Sequence, residues 1–137
     1  MKKTTIMLLL IALCSLYFNN AKAQSSTMPH EAIITFESSV HDYDTIAQGA
    51  DGNCVFRFTN TGNAPLLIAD VKASCGCTKP GWDKKPVMPG QSGTIRVNYN
   101  TMITGHFRKT IVVHTNAANG TNHVLRIKGF VRPKPRS

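Results

Sequence analysis

Apolar and polar positions alternate in short runs along most of this chain, as they do in β-strands that have one buried face. The clearest runs are residues 54–59, 94–100, 107–115 and 123–132. Side chains two positions apart point to the same side of a strand, so the apolar face of each run is predicted to meet a core. The residues predicted to face inward are Cys54, Phe56, Phe58, Ile95, Val97, Tyr99, Phe107, Ile111, Val113, Leu125, Ile127 and Val131.

Turn-forming residues separate these runs at intervals of about eight to twelve positions. Residues 60–63 read Asn-Thr-Gly-Asn, a set that tolerates positive φ and therefore predicts a reversal of the chain. The next apolar run spans residues 65–73. Strict alternation there places Leu66 and Ile68 on one face and Val71 on the other.

No stretch shows the 3.6-residue apolar period of a substantial helix. Edge strands over residues 33–36 and 43–46 bring the expected number of strands to about seven. Short strands without helices are typical of two packed sheets. The sequence therefore predicts an all-β fold, an immunoglobulin-like antiparallel β-sandwich of about seven strands. A closed barrel is the alternative architecture.

The N-terminal residues 1–23 have the order of parts found in a signal peptide. Lys2 and Lys3 are followed by a nearly continuous apolar stretch over residues 6–18, and residues 21–23 read Ala-Lys-Ala. Signal peptidase reads such a small-x-small site, so we expect cleavage after residue 23. The apolar stretch is shorter than the roughly 20 residues that a spanning helix requires.

The remainder of the chain divides into a flexible tether over residues 24–32, the sandwich over residues 33–132 and a disordered tail over residues 133–137. We expect no integral membrane segment after removal of residues 1–23, because no other apolar stretch is long enough. Lipidation of Cys14 is a less favoured alternative, since a large leucine precedes that cysteine. The expected location is exported, either periplasmic or at the cell surface.

The chain is basic, with 16 lysines and arginines against 7 acidic residues and a formal net charge of +9. Export argues against a nucleic-acid partner, whereas anionic polymers or lipids of the cell envelope fit a positive surface. Arg126, Lys128 and Arg132 point outward from the last strand, which makes them candidate interaction residues. A solvated face that keeps the protein soluble is the simpler interpretation of the same charges.

The cysteines at positions 75 and 77, separated by Gly76, are the most distinctive local feature. In an extended strand their Cα atoms would lie roughly 6.5 Å apart, near the upper limit for a disulfide. A local Cys75–Cys77 disulfide therefore needs a bend, which glycine can supply. A strained disulfide is easily reduced, which favours a redox role. Two buried or reactive thiols, or thiolates sharing Cu(I) or Zn(II), remain alternatives.

Other candidate residues carry weaker signals. Cys54 alternates with Phe56 and Phe58 and is predicted to be a buried thiol. Trp82, in the loop expected after the cysteines, is predicted either to cover the open end of the sandwich or to anchor a partner. The chain carries no catalytic motif and no metal-ligand spacing among its histidines, so we predict no enzyme activity, no cofactor and no metal site.

Six short segments in a fixed order carry a family resemblance. They are residues 41–46, 58–62, 64–66, 74–78, 89–93 and 127–129. Together they resemble the bacterial domain of unknown function 1573 family, which is itself similar to immunoglobulin-like domains of the Hydin type. The resemblance implies an exported β-sandwich without an established activity. One departure is Asp44, where the family tends to have glycine, and it puts the turn before Thr45 in question.

Two functions are compatible with these observations. The first is an exported, non-catalytic module that binds a protein or polymer partner in the cell envelope. The second is a thiol-based redox or metal-handling protein that uses Cys75 and Cys77. The sequence favours the first because no second catalytic group accompanies the cysteines.

Overall fold

Two four-stranded β-sheets pack face to face in the computed structural model, which describes residues 28–136. In chain order the strands are β1 (Ile34–Phe36), β2 (Val40–Ala47), β3 (Asn53–Asn60), β4 (Ile68–Ala73), β5 (Thr78–Trp82), β6 (Ser92–Tyr99), β7 (Gly105–Thr115) and β8 (Asn122–Arg132). Sheet A has the order β1-β3-β6-β5, and sheet B has the order β2-β8-β7-β4. The predicted immunoglobulin-like β-sandwich is confirmed.

The chain changes sheets near its N-terminal end. Strand β1 pairs antiparallel with β3, and β2 then pairs parallel with β8 in the other sheet. Between them, the amide of Glu37 donates to the carbonyl of Arg57 at 3.0 Å, and the amide of Arg126 donates to the carbonyl of Ser39 at 2.8 Å. The remaining pairings between these strands are antiparallel. One segment thus forms an edge of both sheets.

The core lies between the sheets, and every residue predicted to face inward is buried. Alternation succeeds in these strands because each one has one face on the core and one face in water. The Tyr99 and Phe107 rings stack across the two sheets with centroids 3.8 Å apart. Tyr43 packs against Phe107, and its hydroxyl donates to the carbonyl of Gly52 at 2.7 Å.

In β4, simple alternation predicts the wrong side for Val71. Leu66, Ile68 and Val71 are all buried, although strict alternation places Val71 on the opposite face from the other two. The pairing of β4 with β7 shifts register between Ile68 and Asp70. Such an irregularity inserts an extra residue and turns the following side chains to the opposite face. Strict period-two reasoning therefore fails after that point.

The structure has eight strands across residues 28–136, where about seven were expected. The additional strand is β5, which the sequence analysis treated as a loop. Pro80 weakens its strand signal, but a proline is tolerated on an edge strand because one side has no pairing partner. The short strand expected at residues 43–46 is longer and begins at Val40.

The turn after β3 is held by a buried amide and does not depend on positive φ. Among residues 60–63, none has φ in the left-handed region. The side chain of Asn60 is fully buried and donates to the carbonyls of Ala64 and Val87 at 2.7 and 2.9 Å. Its Oδ1 accepts from the amide of Gly62 at 3.0 Å. The sequence pattern located this turn but assigned it the wrong cause.

The predicted signal peptide and residues 24–27 of the tether lie outside the described residues. Within the tether, Ala32 is buried, and its carbonyl accepts from the amide of Ala118 at 2.8 Å. The ordered part of the sandwich therefore begins before residue 33. In the C-terminal tail, the amide of Lys134 donates to Oε1 of Gln48 at 3.2 Å.

Candidate functional site

A basic groove crosses the outer face of sheet B. It is a shallow depression of about 210 Å³, lined by Val40, Arg108, Arg126 and Lys128. The register explains the cluster, because Arg108 pairs with Lys128 between β7 and β8, and Val40 pairs with Arg126 between β2 and β8. Positively charged side chains therefore surround one exposed aliphatic side chain. We call these four residues the basic groove.

One of the three cations in the groove is already paired. Nζ of Lys128 lies 2.9 Å from Oδ2 of Asp42, and this contact holds the pKa of that exposed carboxyl below its usual range. Across residues 28–136, no carboxylate lies within 4.0 Å of the guanidinium group of Arg108 or Arg126. Two neighbouring guanidinium groups thus remain available to an anion.

Strand β2 has an irregularity a few residues after Val40. The pairing with β8 shifts register between Asp42 and Thr45. Between them, Asp44 has φ of 53°, in the left-handed region that glycine normally adopts, and its amide donates to Oδ1 of Asp42 at 2.9 Å. Aspartate tolerates this backbone better than most residues because its short side chain bonds locally. The position where the family tends to have glycine therefore keeps a glycine-like conformation.

Of the candidate interaction residues, Arg126 and Lys128 lie together, whereas Arg132 and Trp82 lie elsewhere. Arg132 pairs with Ala47 near the end of β8 and is not part of the basic groove. Trp82 ends β5 on sheet A and is partly buried against the core. Within the described residues, its Nε1 is buried without a hydrogen-bond partner.

Sequence analysis placed Arg108 on the outer face of its strand but did not join it to the candidate site. The available signal was its alternation with Phe107, which indicates outward orientation. Alternation along one strand does not give the register between strands, and it is this register that places Arg108 beside Lys128. A site shared between strands becomes visible only when that pairing is known.

The sulfur atoms of Cys75 and Cys77 form a disulfide, with the two Cα atoms 5.3 Å apart. Both residues are partly exposed, in a turn at the start of β5. The amide of Thr78 donates to the carbonyl of Cys75 at 3.3 Å, and the amide of Asn100 donates to the carbonyl of Cys77 at 2.8 Å. The local disulfide is therefore built into a hydrogen-bonded turn.

The bend at Gly76 does not require glycine, contrary to the sequence-based argument. Its φ lies outside the left-handed region, and an added Cβ would meet no atom within 4 Å. The hydrogen-bonded turn around Thr78 brings the sulfurs together instead. A polar groove of about 420 Å³ lies beside the disulfide and is lined in part by Cys77, Lys79 and Asn98.

Cys54 is a buried free cysteine, as predicted. Burial raises the pKa of its thiol, and the nearby hydroxyl of Tyr43 partly opposes this rise. A buried thiol with a raised pKa carries little thiolate, so it is a poor nucleophile near neutral pH. Cys54 therefore belongs to the core and not to the candidate redox pair.

Other features of the described residues bear on cofactors and membranes. Over residues 28–136, no three histidine, cysteine or acidic side chains come together in an arrangement that could hold a metal ion. In that same part of the chain, no helix is long and apolar enough to cross a membrane.

Comparison with known families places these features in context. The family described as "Protein of unknown function (DUF1573)" matches this chain over residues 34–131. The chain belongs to this family. The DUF1573 match begins with β1, ends one residue before the end of β8, and includes the disulfide turn and all four residues of the basic groove. Among curated proteins, none matches this chain in sequence.

Solved structures similar to this DUF1573 protein include a protein of unknown function from Porphyromonas gingivalis W83, with a TM-score of 0.68 and 14% identity. That similarity covers 78% of this chain and 51% of the other. The VesB protease of Vibrio cholerae has a TM-score of 0.61 and 14% identity, over 71% of this chain and 31% of the protease. The chain thus spans about half of the first protein and about a third of the second.

A third similar structure is the CsuC-CsuE chaperone-tip adhesion subunit pre-assembly complex of Acinetobacter baumannii. It has a TM-score of 0.53 and 7% identity, over 74% of this chain and 58% of the matched chain. At such identities, all three similarities show a common β-sandwich fold and nothing about activity.

Proposed function

We propose that this DUF1573 protein is an exported, non-catalytic binding module that holds an acidic segment of a protein partner in the basic groove. The observation that carries the proposal is the pair of guanidinium groups of Arg108 and Arg126, which have no carboxylate partner in the described residues. Arginine binds carboxylates through two parallel hydrogen bonds, so neighbouring arginines favour closely spaced acidic side chains.

Three further observations support a protein partner over a simple anion. Val40 lies within the groove with 42% of its surface exposed, and it offers an apolar contact between the charges. The groove also borders β2, an edge strand of sheet B. An extended peptide that follows such an edge can place alternate side chains over the sheet. The similar CsuC-CsuE structure is itself a complex of a chaperone with a protein subunit.

Binding is tested with a labelled extended peptide of alternating glutamate and valine, measured by fluorescence anisotropy at low salt. We expect saturable binding that weakens as salt is added, because exposed charge pairs are screened. The double variant Arg108→Glu with Arg126→Glu should weaken binding by at least about tenfold, since it removes charge-assisted hydrogen bonds worth roughly 1.5–3 kcal/mol each. The same peptide with lysine in place of glutamate should not bind.

The matched control is Arg57→Glu with Arg96→Glu, which reverses two exposed charges on sheet A. Equal loss of binding in this control would show that only net charge matters, and the groove would be the wrong site. Tighter binding of polyphosphate than of the peptide would indicate that the groove binds a polymer and not a protein. Loss of binding in a folded variant with Cys75→Ser and Cys77→Ser would indicate that the peptide binds at the disulfide turn and not in the groove.

The export part of the proposal rests on residues 1–23 and is tested separately. We expect mass spectrometry of the chain recovered from the envelope of a producing bacterium to show Gln24 at the N-terminus, because the small-x-small site ends at Ala23. A partly exposed disulfide also suits an oxidising compartment. A chain that keeps Met1, or that carries a lipid on Cys14, would contradict this prediction.

A further inference from the structure

The turn between β6 and β7 presents two neighbouring aliphatic side chains to solvent. Met102 is 61% exposed and Ile103 is 46% exposed. Single exposed apolar residues are common on protein surfaces, but two in succession at the tip of a turn form a small protruding apolar surface. One corner of the sandwich therefore exposes an apolar surface to solvent.

This turn is held in place by hydrogen bonds to several of its backbone groups. The amide of Met102 donates to Oδ1 of Asn100 at 3.1 Å, and its carbonyl accepts from Nε2 of Gln48 at 3.2 Å. The amide of Ile103 donates to the carbonyl of Asn100 at 3.2 Å. Thr101 is buried, and its hydroxyl donates to the carbonyl of Ala50 at 2.6 Å. Backbone groups paired in this way lose little when water is removed.

The C-terminal segment that carries Arg132 and Lys134 lies beside the apolar tip. Gln48 links the two. Its Nε2 donates to the carbonyl of Met102, and its Oε1 accepts from the backbone amide of Lys134. The backbone amide of Gln48 donates to the carbonyl of Arg132. A Cβ built on Gly49 would lie 3.6 Å from Sδ of Met102 and 3.8 Å from Nζ of Lys134, so both atoms flank the same point.

Asp51, the acidic residue that follows Gln48 and Gly49 in sequence, already has hydrogen-bond partners. Oδ1 of Asp51 accepts from the amide and from Nδ2 of Asn53, at 3.0 and 2.6 Å. The C-terminal segment itself contributes Lys134 and Arg136 and no acidic side chain. The corner formed by residues 102–103 and 132–136 is therefore both apolar and positively charged.

We propose that this corner docks the domain on an anionic lipid surface. Met102 and Ile103 enter the headgroup region, while Arg132 and Lys134 meet lipid phosphates. An apolar tip with satisfied backbone groups and adjacent cations matches both components of such a surface, its apolar interior and its negative charge. The docking site lies outside the basic groove and does not depend on the proposed partner.

The test places an environment-sensitive dye on an Ile103→Cys variant of the full chain and adds vesicles. Every variant also carries Cys14→Ser; because Cys54 is buried and Cys75 is bonded to Cys77, the introduced thiol is then the one that reacts. We expect a blue shift with vesicles of phosphatidylcholine mixed with phosphatidylglycerol and none with phosphatidylcholine alone. The matched control is Val55→Cys, which is 47% exposed on the outer face of sheet A and should not shift.

Two variants in the Ile103→Cys background separate the apolar and charged contributions. Met102→Ser, and separately Arg132→Gln with Lys134→Gln, should each raise the lipid concentration needed for half-maximal shift by about tenfold or less. A dye at position 103 that does not respond, or a dye at position 55 that responds equally, would overturn the proposal. A blue shift that appears without vesicles and grows with protein concentration would show that the corner binds a second copy of the chain. This result would also overturn the proposal.

Discussion

Replacing Asn60 with aspartate should strongly destabilise the protein at neutral pH. The side chain of Asn60 makes four hydrogen bonds with no exposure to solvent: Oδ1 accepts from the amides of Ile33 and Gly62, and Nδ2 donates to the carbonyls of Ala64 and Val87. Aspartate cannot donate while ionised, so two carbonyl oxygens would face a buried negative charge. We expect a loss of about 3–5 kcal/mol, a large share of the roughly 5–15 kcal/mol that stabilises a typical domain.

Urea denaturation of the Asn60→Asp variant at several pH values tests this expectation. Burial raises the pKa of the introduced carboxyl in the folded state, so the folded form binds a proton more tightly than the unfolded form. Stability relative to the wild type should therefore rise as the pH falls from neutral toward the unfolded-state pKa of about 4. An unchanged difference between the two proteins across this range would contradict the buried-charge argument.

The control for this experiment is Asn63→Asp in the same turn. Asn63 is exposed, and its Oδ1 accepts from the amide of Glu31 at 2.8 Å, a role that a carboxylate can keep. We expect its stability to change by less than about 0.5 kcal/mol. Equal destabilisation of both variants would show that the turn responds to any negative charge and not to the loss of the two donors of Asn60.

The Gly52→Ala substitution should cost about 3 kcal/mol or more. Gly52 is buried where its backbone approaches β6, and an added Cβ would lie 2.0 Å from the carbonyl oxygen of Tyr99 and 3.0 Å from Cγ2 of Thr101. The backbone cannot move away freely, because the carbonyl of Gly52 accepts from the amide of Tyr99 at 2.9 Å and from the hydroxyl of Tyr43 at 2.7 Å.

Thermal and urea denaturation of this variant are compared with those of Gly81→Ala. Gly81 lies in β5, and an added Cβ there would meet no atom within 4 Å. Its replacement should leave stability unchanged or slightly higher, because alanine restricts the unfolded chain. If Gly52→Ala is as stable as Gly81→Ala, the close approach of Gly52 to Tyr99 does not constrain the native state.

The two proposed surfaces depend on different parts of the chain. The basic groove combines β2, β7 and β8 on the outer face of sheet B, whereas the lipid-docking corner combines the β6–β7 turn with the C-terminal segment. Variants of Arg108 and Arg126 leave Met102 unchanged. Failure of peptide binding therefore leaves the vesicle experiment interpretable, and the reverse also holds.

The amino-acid sequence by itself determined the fold class and most of the core. Each of the main strands has one face in water, so a period of two identifies its buried side chains without knowledge of their partners. The disulfide pair was also accessible from the sequence, because two cysteines two positions apart can meet through a local bend. The family resemblance, built on six ordered segments, was confirmed by the match over residues 34–131.

Only the tertiary structure decided the features that depend on register and on contacts between distant segments. The shift in β4 buries Val71, and the pairing of β7 with β8 places Arg108 beside Lys128. The role of Asn60 depends on carbonyl and amide groups from three other places in the chain. A local pattern gives the direction of a side chain along its own strand, whereas the chemistry of a site depends on which strand lies next to it.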